Sequence, residues 1–233
     1  MENLIFLGDC FDLLKNIEDN KVDLILTDPP YGISKTSNFS KSDIQRFNTM
    51  KHDFGEWDKP IDLITLFTEF KRVLRKGGTL IIFYDIWKCN QIKEAAIEVG
   101  FRQPRIGQWV KNNPPPINSK WNYLTNGIEY FFTFCKGDKI TFNSNYDNGI
   151  YHHPLVHGKE RFHPTQKPLK LIEELVVKHS NEGDFVLDPF AGSGVTGEAC
   201  QKLNRRYFLI EREEEYYEKI KIRLNDKDKE FPN

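Results

Sequence analysis

Phe185-Val186-Leu187-Asp188-Pro189-Phe190-Ala191-Gly192-Ser193-Gly194-Val195-Thr196-Gly197 runs from an apolar strand through a glycine turn into the start of a helix. The strand is short and apolar throughout, as a strand buried on both faces must be. The segments around it alternate in the same way. Helix-like periods cover about 168–180, 195–203 and the charged end of the chain, where Tyr216, Ile220 and Leu224 share one face; strand-like runs cover 185–188 and 206–210. Further upstream, Leu4–Leu7, Leu24–Thr27, Thr79–Tyr84, Arg105–Val110 and Tyr130–Phe134 read as strands. Residues 11–17, 61–75 and 87–99 read as helices, with Gly77-Gly78 stopping the second. Alternation of this kind predicts an α/β sheet rather than separate all-α or all-β domains.

The glycine turn has two readings. Gly192, Gly194 and Gly197 satisfy G-x-G-x-x-G, and an acid, Glu211, closes the next strand nineteen residues after Gly192. That is the dinucleotide fingerprint, and it makes a nicotinamide-dependent oxidoreductase a competing reading. Position argues against it, because only 39 residues follow Gly194, too few for the second half of a dinucleotide fold. Asp188 argues against it as well. A carboxylate just before the turn repels a pyrophosphate but favours the cationic amino acid end of S-adenosylmethionine, and Phe190 adds an aromatic beside the turn.

A second strand ends in Asp28-Pro29-Pro30-Tyr31. The prolines stiffen the backbone, remove two N–H donors and bias Asp28 toward an extended conformation. The turn therefore projects an acid, a free carbonyl and an aromatic ring from the carboxyl end of a strand, where open α/β sheets bind ligands. This set suits an exocyclic amino group: Asp28 and the Pro29 carbonyl accept its hydrogens while Tyr31 stacks on the ring. A third motif, His163-Pro164-Thr165-Gln166-Lys167-Pro168, precedes a helix. Pro168 suits a first helical turn, whose open N–H groups favour an anion; Lys167 and the Thr165 hydroxyl are candidates for a cofactor carboxylate. Taken alone, the hexapeptide also reads as a plain helix entry with an exposed lysine.

Composition sets the bounds. The 233 residues, 39% hydrophobic, suffice for one good core, so a single domain over 1–233 is expected. No apolar run approaches a membrane span, and the start lacks the pattern of a signal peptide, so a cytoplasmic protein without membrane association is expected. Cys10, Cys89, Cys135 and Cys200 lie far apart and read as reduced thiols, and no metal site is expected. The net charge of −1 hides an asymmetry: residues 1–31 carry seven acids against two lysines, whereas 102–178 carry eleven Lys/Arg against six acids. A basic face for phosphates is compatible with that distribution.

Together these motifs resemble the amino-methyltransferases of DNA, in the permuted group whose catalytic motif precedes the cofactor motif. The resemblance spans nearly the whole chain: Gly8-Asp9, Asp28 to Tyr31, Gly77-Gly78 with its strand, His163 to Pro168, Asp188 to Gly194, and Glu211. It implies one doubly wound, mostly parallel seven-stranded sheet with helices on both faces, the catalytic half preceding the cofactor half. It also implies S-adenosylmethionine at the carboxyl edge, with Asp9 near the adenine, Glu211 on the ribose, and Phe190, Gly192 and Gly194 along its body. Asp188, Thr165 and Lys167 are expected near the methionine end, with His163 and Asp28 counted among the cofactor residues. Asp28, Pro29, Pro30 and Tyr31 form the implied catalytic set. The acidic first letter of that set looks more like the adenine-N6 enzymes than the cytosine-N4 enzymes, which remain the nearest alternative.

The implied substrate is an adenine in double-stranded DNA, which must leave the stack before its amino group can meet a methyl donor. Residues 32–60 form a long polar stretch without a period, expected to be a mobile loop near the base. Residues 112–161 interleave Lys120, Lys136, Lys139, Lys159 and Arg161 with Trp121, Tyr123, Tyr146 and Tyr151, and Asn118, Asn122 and Asn145 are available for base edges. That makes 112–161 the candidate target-recognition segment. Candidate partners besides DNA are a second copy of the chain and a cognate restriction endonuclease.

Overall fold

A computed structural model describes residues 3–31, 61–114 and 124–224. The chain divides into two units, Met1–Pro29 together with Leu63–Asn233, and Pro30–Asp62. Nearly all of the second unit, including the expected loop 32–60, lies outside the described residues.

The first unit holds β1 (Leu4–Leu7), α1 (Cys10–Leu14), β2 (Val22–Thr27), α2 (Leu63–Val73), β3 (Leu74–Phe83) and α3 (Cys89–Glu98). There follow β4 (Arg102–Lys111), β5 (Ile128–Cys135), β6 (Ile150–His153), α4 (Leu169–His179), β7 (Phe185–Asp188), α5 (Val195–Lys202), β8 (Arg206–Glu211) and α6 (Glu214–Arg223). The strands form one sheet in the order β1-β8-β7-β2-β3-β5-β4-β6. Neighbours are parallel except on either side of β5, which is antiparallel to both β3 and β4.

Alternation along the strands splits the core between two faces. Leu24 and Leu26 of β2 pack with Ile81, Phe83 and Val186 in the cluster that α4, α5 and α6 cover with Leu175, Ala199 and Ile220. Ile25, Leu80 and Ile82 are equally buried, and period-two geometry turns them to the opposite face. The aromatic group of that face joins Phe67 of α2 to Phe101 and to Phe134 of β5, with ring centroids 6.2 and 6.1 Å apart. Helices therefore cover both faces, as expected from the sequence.

Two expectations are corrected. Among the described residues the sheet has eight strands rather than seven. The eighth, β6, comes from a stretch without a readable period; it is only four residues long and pairs in parallel with Gln108–Lys111. Gly77-Gly78 does not stop α2, which ends at Val73 and leads directly into β3. The glycines lie instead where the β2–β3 register jumps from Val22↔Leu74 to Leu24↔Thr79.

The topology fixes where a ligand can sit. From β7 the chain moves outward through α5 to β8; from β2 it moves the other way to α2 and β3. Adjacent β2 and β7 are thus a topological switch point, and the crevice beyond their carboxyl ends is the expected site.

Candidate active site

The crevice is an open cleft whose empty space, about 400 Å³, merges with solvent. Thr27 and Asp28 line it from the end of β2, Phe83 from β3, and Asp188, Phe190, Ala191 and Gly192 from the end of β7; His163, Thr165 and Lys167 come from the approach to α4. Three motifs far apart in sequence are therefore brought to one place. Asp9, Gly194 and Glu211 are not among the residues that line the cleft. The Asp9 carboxylate caps α1, accepting from the Phe11 N–H at 2.8 Å, next to the Gly8 N–H that donates to the Glu211 carbonyl at 2.9 Å. Pro30 and Tyr31 belong to the second unit.

Asp188 forms the floor. One carboxylate oxygen accepts from the Thr27 hydroxyl at 2.9 Å and the Phe190 N–H at 3.2 Å, and the other from the Thr196 hydroxyl at 2.7 Å. Burial raises its pKa to about 6 against the pull of these three donors, and Asp28 nearby adds to the rise. A carboxylate offers about four acceptor positions, so a cation from the cleft still finds lone-pair capacity there.

The glycine turn is built for close approach. Gly192 has φ +51°, and a Cβ on it would meet the His163 ring at 3.2 Å; Gly194 has φ +70°, and its Cβ would lie 2.8 Å from Ile220. Both positions exclude a side chain on backbone grounds as well. Glu211 holds this turn from below. Its side chain accepts from the Gly192 N–H at 2.7 Å and the Glu213 N–H at 2.8 Å, while burial raises its pKa. This bracing role is additional to the ribose contact expected from the sequence.

His163 packs edge-on against Tyr216, ring centroids 4.4 Å apart. Burial, followed by Lys167, Arg161 and Lys219, lowers its pKa to about 4, so the cleft presents a neutral imidazole at pH 7.

Lys167 departs from the sequence expectation. Its side chain is only 6% exposed, and its ammonium pairs with Asp28 and lies 3.2 Å from Glu129 of β5. Burial pulls the ammonium toward neutrality, but Asp28 and Glu129 outweigh it and hold its pKa above the ordinary lysine value. Its charge is thus committed to two protein carboxylates rather than displayed toward a cofactor carboxylate. Glu129 also binds Lys111 at 2.7 Å. Sequence reasoning misses Glu129, Lys111, Thr27 and Thr196. Thr196 has a local signal, standing inside the glycine motif, but nothing local marks Glu129.

The candidate recognition segment divides between the two edges of the sheet. Because β4 runs parallel to β3, residues 112–114 and 124–127 stand at the carboxyl edge with the cleft. Lys136 follows β5 at the opposite edge, where its ammonium donates to Asn20 Oδ1 at 2.9 Å and to the Lys71 carbonyl. Tyr151 is buried in the core. Lys136 and Tyr151 are therefore structural; Asn118, Lys120, Trp121, Asn122 and Tyr123 lie outside the described residues.

Cys10, Cys135 and Cys200 are buried free thiols, and burial, with Asp9 adding, pushes Cys10 up to about 12. Among the described residues no three His, Cys, Asp or Glu side chains gather as a metal site. No helix among them is long and apolar enough to cross a membrane.

A switch-point cleft, a glycine turn above a buried acid and a second acid ending the neighbouring strand define a group-transfer site of the methyltransferase type. The chain belongs to the DNA methylase family, whose model matches residues 22–222, and it is an enzyme of that family. It is 34% identical over 247 residues to the type II methyltransferase M2.MboI of Moraxella bovis, covering 95% of this chain and 87% of that protein. It is 30% identical over 253 residues to the type II methyltransferase M.HinfI of Haemophilus influenzae, covering 96% and 68%. Among solved structures, the M1.HpyAVI–SAM complex superposes with a TM-score of 0.73 at 31% identity, covering 94% of this chain and 98% of that one. The cytosine-N4-specific PvuII DNA methyltransferase shares the fold, with a TM-score of 0.75 at 16% identity over all of this chain and 89% of that one.

Proposed function

We propose that this DNA methyltransferase transfers a methyl group from S-adenosylmethionine to the N6 amino group of an adenine extruded from double-stranded DNA. The observation that carries the reading is the placement of two carboxylates of different character on one cleft. Asp188 is buried under the glycine turn, and Asp28 stands at the end of the neighbouring strand. S-adenosylmethionine bound along Gly192 and Phe190 would set its ammonium toward Asp188 and its sulfonium methyl toward Asp28. A relative of 31% identity in complex with SAM supports that cofactor.

Asp28 and the Pro29 carbonyl then accept the two amino hydrogens. They orient the nitrogen lone pair at the methyl group and favour the positive charge that grows on nitrogen, which is catalysis by position and electrostatics. Tyr31 receives the face of the base. The amino nitrogen would attack the methyl directly as its bond to sulfur breaks, releasing the demethylated thioether and one proton from nitrogen, so no cysteine nucleophile is required. The acid at position 28 favours adenine N6 over cytosine N4. Recognition is assigned to the parts of 112–161 that share the carboxyl edge, with double-stranded DNA, a second copy of the chain and a cognate restriction endonuclease as partners. Mass spectrometry of nucleosides from DNA of an expressing host tests the reading. N6-methyladenine is the expected product, and N4-methylcytosine alone would replace the assignment.

A further inference from the structure

Lys167 has two anionic partners, whereas a buried ammonium needs only one to be neutralised. Asp28 comes from the end of β2 and Glu129 from β5, two strands away across β3. The second partner has a cation of its own, Lys111, at 2.7 Å, so that two carboxylates and two lysines alternate from Asp28 and Lys167, which line the cleft, to Glu129 and Lys111 behind them. Burial opposes the charge on Glu129, but Lys167 and Lys111 outweigh it and lower its pKa. With both lysines in place Glu129 is therefore held as the charged partner.

Catalysis as proposed above places a demand on this arrangement. Asp28 must turn acceptor capacity toward an amino group while Lys167 holds one of its oxygens. At 6% exposure the Lys167 ammonium has almost no water to replace a lost partner, and its other close neighbours are the neutral Thr165 carbonyl at 3.3 Å and the face of Phe83. Leaving it unpaired would be strongly unfavourable. Glu129 already stands at 3.2 Å, so a small rotation of the lysine end transfers the pairing without exposing a naked charge.

We propose that Glu129 is a positioning residue for methyl transfer: it is the alternative counter-ion that takes Lys167 from Asp28 when the target amino group arrives. The inference rests on the reading of Asp28 as the acceptor of that amino group. It deepens that reading by explaining how a carboxylate already engaged with a lysine becomes available. No bond is made or broken in the exchange, and the charge within the group of four is unchanged.

The test is single-turnover transfer from radiolabelled S-adenosylmethionine to unmethylated bacteriophage DNA, with cofactor affinity measured by calorimetry. Glu129→Gln should slow transfer by about tenfold or more with cofactor affinity within about twofold of wild type, and Glu129→Asp should recover most of the rate. In a Lys167→Met background there is no ammonium to hand over, so adding Glu129→Gln should change the rate by less than about twofold. A wild-type rate in Glu129→Gln, or the same loss in both backgrounds, would overturn the inference. Should Glu129→Gln alone fail to bind cofactor, the double variant decides, because its lysine is gone: a rate well below that of Lys167→Met counts against the exchange. Asp28→Ala separates the two layers. Transfer retained by Asp28→Ala removes the parent reading, whereas its loss beside a normal Glu129→Gln removes only this one.

Discussion

Replacing Asp188 by Asn should leave the cofactor-free protein at least as stable at pH 8 as the wild type, although it removes a buried group with three hydrogen bonds. Proton linkage sets the sign. Burial raises the Asp188 pKa from an ordinary 3.8 to about 6, even with Thr196, Thr27 and the Phe190 N–H favouring the charged form. The folded protein therefore binds a proton at Asp188 more tightly than the unfolded chain does. Between pH 4 and pH 6 the native state holds more protons, so stability falls as pH rises through that window and levels off above it. The displacement corresponds to roughly 3 kcal/mol between the two ends of the window. Asn carries no charge, and it can accept from one threonine and donate to the other, which limits its loss to about 1–2 kcal/mol of hydrogen bonding. Denaturant unfolding of both proteins from pH 4 to pH 8 measures the difference, in which all other titrating groups cancel. The wild type should lose about 3 kcal/mol relative to Asp188→Asn across the window. A difference that does not change with pH would refute the reasoning.

S-adenosylmethionine should bind the wild type with an affinity that calorimetry resolves, and NAD should give no signal; the reverse result would restore the oxidoreductase reading. Asp188→Asn should weaken S-adenosylmethionine, since the cofactor ammonium loses its counter-charge. Asp28→Ala should abolish methyl transfer with most cofactor affinity retained, as checked by nucleoside mass spectrometry beside calorimetry. Gly194→Ala combines a φ of +70° with a Cβ only 2.8 Å from Ile220. It should cost about 2–4 kcal/mol in a denaturant melt, from left-handed strain plus overpacking.

The glycine-turn half of the candidate site is legible in the sequence as strand, turn and helix because its signal is local. Phe185 to Gly197 carries strand, turn and helix start in thirteen consecutive residues, and the structure assigns Phe185–Asp188 and Val195–Lys202 accordingly. The same holds for Asp28 at the end of an apolar run. Legibility ends where meaning depends on long-range pairing. Glu129 acquires its role only through Lys111 on the neighbouring strand and Lys167 nearly forty residues away. Lys136 looks like a phosphate contact because basic residues cluster in that stretch, but the antiparallel run of β5 carries it to the far edge. Short β6 owes its existence to an available partner, β4, rather than to its own pattern.

The seam between β2 and β7 has a consequence for how this enzyme comes into being. Only Leu24↔Val186 and Ile25↔Leu187 are in register there, and the bond from Thr27 to Asp188 spans 161 residues. Contacts so distant along the chain bear a large loop-closure cost and tend to form late. That closure is what brings Asp28 and Asp188 to one cleft. A nascent chain that has not yet delivered β7 has a sheet edge where the cleft should be. Such a molecule lacks Asp188 and the glycine turn beside Asp28, so the cleft is completed only when β7 joins β2.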